Sequence, residues 1–195
     1  MTKSATASKL IEEASKLITN GGYNGFSYAD LSERLGIRKA SIHHHFPSKV
    51  DLVVAVVEQQ RATIRAQLEA LEDGNPDAIG QLLAYVDYWK RCIEEESTTF
   101  CLVGVLAAEL PGLPPKVGIS VQGHFNDLGN WIERVMTLGL EQGAIELELE
   151  PKTSSQFFQT AVYGAMVMAR AYGDPSKFTF IVDAFIARMR KNVHN

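Results

Sequence analysis

Apolar positions recur along almost the whole chain at the three-to-four-residue spacing of amphipathic helices. Leu10, Ile11, Ala14, Leu17 and Ile18 set out the first such face. Asn20-Gly21-Gly22 ends it, because glycine takes the left-handed position after a helix without steric cost. Phe26 is expected to pack inward. Ser27-Tyr28-Ala29-Asp30 then places an N-cap serine three residues before an acid, the arrangement of a capping box. Leu31 and Leu35 give this second helix its buried side, and Gly36 stops it. A short third helix is expected from about 38 to 45, closed by Phe46-Pro47. Ser48-Lys49-Val50-Asp51 repeats the cap signal. It opens a fourth helix to about Leu71, where Asp73-Gly74-Asn75-Pro76 breaks the chain.

Five further helices are expected near 77–94, 100–110, 115–141, 152–172 and 175–192. Their breakers are Ser97-Thr98-Thr99, Pro111 to Pro115, Gly143 with Pro151, and Gly173-Asp174-Pro175. Residues 144–150 alternate in polarity, but the stretch is short, isolated and acidic, and reads as an extended connector. The fold class is therefore all-α with about nine helices. A three-helix N-terminal domain (4–64) precedes a helical body (65–195).

Composition narrows the setting. Apolar residues at 46% and charged residues at 22% fit a globular chain of 195 residues with an ample core. No apolar run approaches the roughly 20 residues of a membrane span, and the first residues have no apolar leader. With only Cys92 and Cys101, a cytoplasmic setting is expected, without a disulfide scaffold. The net charge of −4 is unevenly distributed. Residues 1–50 hold seven Lys/Arg against four acids, +3, and the remainder stands at −7. A basic head on an acidic body suits a protein that meets phosphate with one end.

Residues 27–46, SYADLSERLGIRKASIHHHF, concentrate the chemistry. Two short helices meet at Gly36-Ile37, and Leu31, Leu35, Ile37, Ile42 and Phe46 fix their angle. The second helix turns outward Arg38, Lys39, Ser41, His43 and His44, basic and hydrogen-bonding groups able to reach base edges in a major groove. Ser27, Tyr28 and Lys49 stand at helix starts, where hydroxyls, backbone N–H groups and a positive charge suit phosphate oxygens. The run His43-His44-His45 is not a metal site by spacing. Successive helical residues diverge by about 100°, whereas ligand pairs on a helix need i, i+4. No metal or cofactor is expected. There is no G-x-S-x-G, P-loop, H-E-x-x-H or C-x-x-C, so no enzyme is expected.

The run from Gly36 to Leu52, G-I-x-x-x-S-I-x-x-H-F-x-S-K-x-x-L, resembles the tetracycline-repressor (TetR) family, with similarity over residues 4–64. The family usually has Tyr where this chain has His43, and often Ser or Thr where it has Arg38. The resemblance implies a helix-turn-helix regulator, most simply a repressor, whose DNA-contacting set is Ser27, Tyr28, Arg38, Lys39, Ala40, Ser41, His43, His44 and Lys49. It implies a homodimer on palindromic double-stranded DNA, joined through the last two helices. Small and Met residues over 160–170 and the stripe Phe178, Ile181, Val182, Phe185, Ile186 and Met189 are the expected dimer faces. It also implies a small-molecule effector held in the body. The inward candidates are Tyr85, Trp89, Cys101, Val105, His124, Phe125, Leu128, Tyr163 and Val167. Residues 100–110 resemble a C-L-x-x-x-L-A-x-E segment in a branch that includes electrophile and oxidant sensors, which makes Cys101, with Cys92 as a resolving thiol, an alternative sensor. A second alternative is a helical interaction protein that no longer binds DNA.

Overall fold

The computed structural model describes residues 3–95 and 100–190. These form α1 (Lys3–Gly21), α2 (Tyr28–Leu35), α3 (Lys39–His45), α4 (Lys49–Gly74), α5 (Ala78–Glu94), α6 (Leu102–Ala108), α7 (Pro115–Glu141), α8 (Pro151–Tyr172) and α9 (Ser176–Met189). Single 3₁₀ turns lie at Tyr23–Gly25 and Leu110–Gly112. The helix expected over 100–110 is therefore shorter. Cys101 is its extended N-cap, and Pro111, which has no N–H to donate, falls in the following tight turn. The break expected at Ser97-Thr98-Thr99 and the end of the last helix at 191–192 lie outside the described residues. The acidic connector makes one antiparallel bridge, Ile145 with Arg190, and the Glu146 N–H donates to the Met189 carbonyl at 2.8 Å. No helix among the described residues is long and apolar enough to cross a membrane.

The chain gathers into two compact units. One joins residues 1–63 to 101–124, and the other joins 64–100 to 125–195. The cut expected near residue 64 is thus incomplete, because α6 and the opening of α7 belong with the N-terminal helices. In the first unit α1 packs on α2 and α6, and α2 on α3. Leu10, Ile18, Leu31, Ile42, Leu52 and Leu106 have no exposed surface there. Each such side chain contributes about 1.5–3 kcal/mol by burial. Glu109, just past α6, accepts from the Tyr23 N–H at 2.7 Å. Gly22 (φ 71°) is where the backbone makes room, since a Cβ there would collide with the Glu109 carboxylate.

In the second unit α8 and α9 form the most extensive helix pair, and α5 also touches α9. Trp131, Phe158, Phe178, Leu82, Ile132 and Met136 fill its core. Ion pairs tie its helices on the outside: Arg65 to Asp127 (2.9 Å), Arg134 to Glu72 (3.1 Å) and Lys90 to Asp183 (2.7 Å). The α9 stripe expected at a dimer face needs correction. Phe178, Val182, Ile186 and Met189 are buried within the unit. On these two helices the large apolar side chains left exposed are others: Phe157, Val167, Met168 and Tyr172 on α8, and Phe180 on α9.

Candidate nucleic-acid interface and effector region

The geometry of the head starts from local hydrogen bonds. Ser27 Oγ accepts from the Ala29 and Asp30 N–H groups and donates to Asp30 Oδ2 at 2.7 Å, while the Ser27 N–H donates to the same oxygen at 2.6 Å. That reciprocal box starts α2 and holds the exposed Asp30 carboxyl below its ordinary pKa. Gly36 ends α2 in the left-handed conformation (φ 62°), which a β-carbon disfavours. Ser32 Oγ then donates to the Ile37 carbonyl at 2.6 Å, locking the turn. Ile42 is fully buried beneath α3, and Leu31 beneath α2, so the two helices share one apolar seam. A second box, Ser48 with Asp51, opens α4 (Ser48 Oγ to Asp51 Oδ2, 2.7 Å).

This frame leaves Arg38, Lys39, Ala40, His43 and His44 exposed on and before α3, with Ser41 half-buried beside them. His43 Nδ1 lies 3.2 Å from the Pro47 carbonyl, and its ring meets the edge of Tyr28 at 4.9 Å. A carbonyl only accepts, so Nδ1 carries a proton here, and the Nδ1–H tautomer presents Nε2 as an acceptor, the complement of an adenine or cytosine amino group.

Three of the expected contacts have other work. The Tyr28 hydroxyl is buried and donates to the Phe46 carbonyl at 2.9 Å, with its pKa pushed up to about 12 by burial first and by Asp51 and Tyr23 second. The Ser27 hydroxyl proton is committed to Asp30. The Lys49 ammonium turns inward, donating to the Phe26 carbonyl between the Tyr23 and Phe26 rings, 4.6 and 4.4 Å from their centroids. Burial lowers the Lys49 pKa against the opposing pull of Asp30 and Glu109. Phosphate oxygens need donors, and these three side chains direct theirs into the head itself.

The model of bacterial regulatory proteins of the tetR family matches residues 10–56, and that of the tetracyclin repressor-like C-terminal domain matches 78–185. The chain belongs to the TetR family. A TetR-family transcriptional regulator from Agrobacterium tumefaciens is 40% identical, with a TM-score of 0.95, over 97% of this chain and all of that one. The HTH-type transcriptional repressor DhaR of a Mycobacterium strain is 23% identical over 86% of this chain and 83% of its own. The reduced form of Escherichia coli NemR shares the fold, at 19% identity and a TM-score of 0.90, over 97% of this chain and all of that one.

The nine effector candidates of this TetR-family chain divide between its units. Cys101, Val105 and His124 fall in the first, and Tyr85, Trp89, Phe125, Leu128, Tyr163 and Val167 in the second. Cys101 and His124 are buried and Val105 is half-buried. In the second unit Tyr85, Trp89 and Leu128 are buried, and Phe125 meets Tyr163 at 5.0 Å between ring centroids. Val167 is 51% exposed on the outer side of α8, so its expected inward position is corrected. Cys101, at 2% exposure, is closed to reagents, which disfavours the thiol-sensor alternative. A groove of about 310 Å³ between the connector and the ends of α8 and α9, lined in part by Leu149, Phe157 and Phe185, contains none of the nine.

Sequence reasoning missed Trp131 and Gln81. The indole N–H groups of Trp89 and Trp131 and the Oε1 of Gln81 are buried without a hydrogen-bond partner. An unmatched buried polar atom costs about 1–3 kcal/mol. The available signal for Trp131 was its place three residues after Leu128, on the same side of α7.

Proposed function

We infer that this TetR-family protein is a homodimeric transcriptional repressor that occludes a palindromic operator and is released by a small-molecule effector. The observation that carries the reading is the outward row of Arg38, Lys39, Ala40, His43 and His44 on a short helix whose angle is fixed by Gly36, Leu31 and Ile42. Arg38 and Lys39 read guanine edges or adjoining phosphates, and His43 offers an acceptor to an amino group. The dimer forms through the apolar row on α8, where Phe157, Gly164, Val167, Met168 and Tyr172 follow one another at helical spacing, extended by Phe180 of α9. A two-fold pairing presents two α3 helices to half-sites one turn, about 34–36 Å, apart. Effector binding shifts the spacing of the two heads, which requires unequal affinity for the operator-bound and released forms.

A gel-shift titration against DNA flanking its gene tests the reading. The expected result is a sequence-specific complex of two protomers per site, with Arg38→Ala and Lys39→Ala each weakening it by about 1–3 kcal/mol and relaxing specificity at one position. A specific complex indifferent to both changes overturns the assignment of α3.

A further inference from the structure

Both indole N–H groups of this chain are buried without a partner, on two helices joined by a ring contact. Trp89 lies one turn beyond Tyr85 on α5, and the Tyr85 ring meets Trp131 of α7 at 5.6 Å between centroids. Trp89 and Trp131 are respectively 5% and 1% exposed, and each Nε1 has no partner. Indole nitrogen only donates, so each awaits an acceptor. Buried neighbours on these helices, Val86, Leu128 and Ile132, are aliphatic and supply none. Two turns earlier on α5, Gln81 is fixed by donation from Nε2 to the Asn75 carbonyl at 2.7 Å, which leaves its Oε1 equally unmatched. Native interiors match nearly all such atoms, and unmatched ones call for a ligand or an ordered water. Among the described residues, no Lys, Arg, Asp or Glu is buried. An ionised ligand would therefore meet no buried Lys, Arg, Asp or Glu to offset its desolvation.

We propose that α5 and α7 hold a small-molecule site in which Trp89 and Trp131 offer their indole N–H groups to oxygen acceptors on an uncharged, flat, largely apolar ligand seated against Tyr85. This deepens the effector reading and rests on it for its regulatory meaning. Aromatic rings supply the apolar contact area, and the indole donors choose a carbonyl or ether oxygen over a hydrocarbon of the same shape. A carboxylate on the same skeleton carries a desolvation cost that no buried Lys or Arg offsets.

Trp89 and Trp131 are the only two tryptophans of the chain, so fluorescence excited to the red of tyrosine absorption reports on these two side chains. Three probes share one ring system: naphthalene, 2-acetylnaphthalene and 2-naphthoate. The expected result is saturable quenching by 2-acetylnaphthalene at an affinity about fivefold or more above that of the other two. Trp131→Phe and Trp89→Phe, which keep an aromatic ring but remove the donor, should each weaken the ketone about fivefold by equilibrium dialysis, at a temperature where circular dichroism shows the variant folded. Equal binding of naphthalene and ketone, a preference for naphthoate, or no saturable binding overturns the proposal. So does unchanged ketone affinity in both variants, the outcome expected if a water satisfies the indoles. Operator release is measured in parallel. Ketone binding without release counts against the effector reading and leaves the site standing. Release that survives both substitutions keeps the reading and removes the site.

Discussion

Lys49 separates a structural from a DNA-contacting role in a single substitution. Lys49→Met keeps the aliphatic stem and removes the ammonium. The Phe26 carbonyl, in a buried residue, loses the donor that reaches it, at a cost of about 1–3 kcal/mol. The two ring contacts add about 0.5–1 kcal/mol each. Against this stands relief of a buried charge, the same burial that lowers the Lys49 pKa. The net expectation is a loss of about 1.5 kcal/mol, or about 3–6 °C in melting temperature for a chain of this size. The pH dependence has a definite sign. The unfolded chain binds the lysine proton more tightly than the folded one, so wild-type stability gains as pH rises from the lowered pKa towards 10.5, and the variant lacks that gain. Urea unfolding at matched protein concentration reads the stability, and operator affinity against salt reads the phosphate contacts. The slope of log affinity against log salt should be unchanged. A slope reduced by about 0.9 per half-site, with an unchanged urea midpoint, would show that Lys49 contacts phosphate and that its inward geometry is not the one that binds DNA.

The remaining expectations concern other parts of the chain. Ser27→Ala removes the α2 cap and should cost about 1 kcal/mol in urea unfolding, because the Ala29 and Asp30 N–H groups lose their acceptor. The Asp30 carboxyl has its pKa lowered by Ser27, so its contribution is present above its ordinary 3.8 and is lost as pH falls through the lowered value. An acid melt of Asp30→Asn should lack that component. Phe180→Glu places a charge on the proposed dimer face twice per dimer. With about 1.5–3 kcal/mol of lost burial in each protomer, sedimentation should show dissociation at concentrations where wild type is dimeric. A dimer of unchanged strength would place the interface elsewhere.

The head was legible in the sequence because its determinants are local. Ser27 with Asp30, Ser48 with Asp51, and Gly36 act within one turn of their own position, and each does in the structure what its residue type predicts. What α3 leaves outward followed from Ile42 facing in. Two of the side chains that misled have partners remote in sequence. Lys49 finds Phe26 and Tyr23 more than twenty residues back, and Tyr28 donates to the Phe46 carbonyl 18 residues on. On α9, Phe178 and Phe180 are equally apolar and two residues apart, yet one is buried and the other is 76% exposed. Hydrophobicity marks a face for burial without saying whether the cover comes from the same chain or another. The orphaned indole donors are likewise a property of packing, since tryptophan in a helical stripe reads as core.

The central claim is sequence-specific operator recognition by α3, and footprinting of sites selected from genomic DNA by the purified protein tests it most directly. The expected result is a palindromic footprint with half-sites one helical turn apart, lost in the Arg38→Ala/Lys39→Ala double variant and kept in Lys49→Met. A folded, dimeric protein that protects no specific sequence, or a double variant that keeps the full footprint, would contradict it.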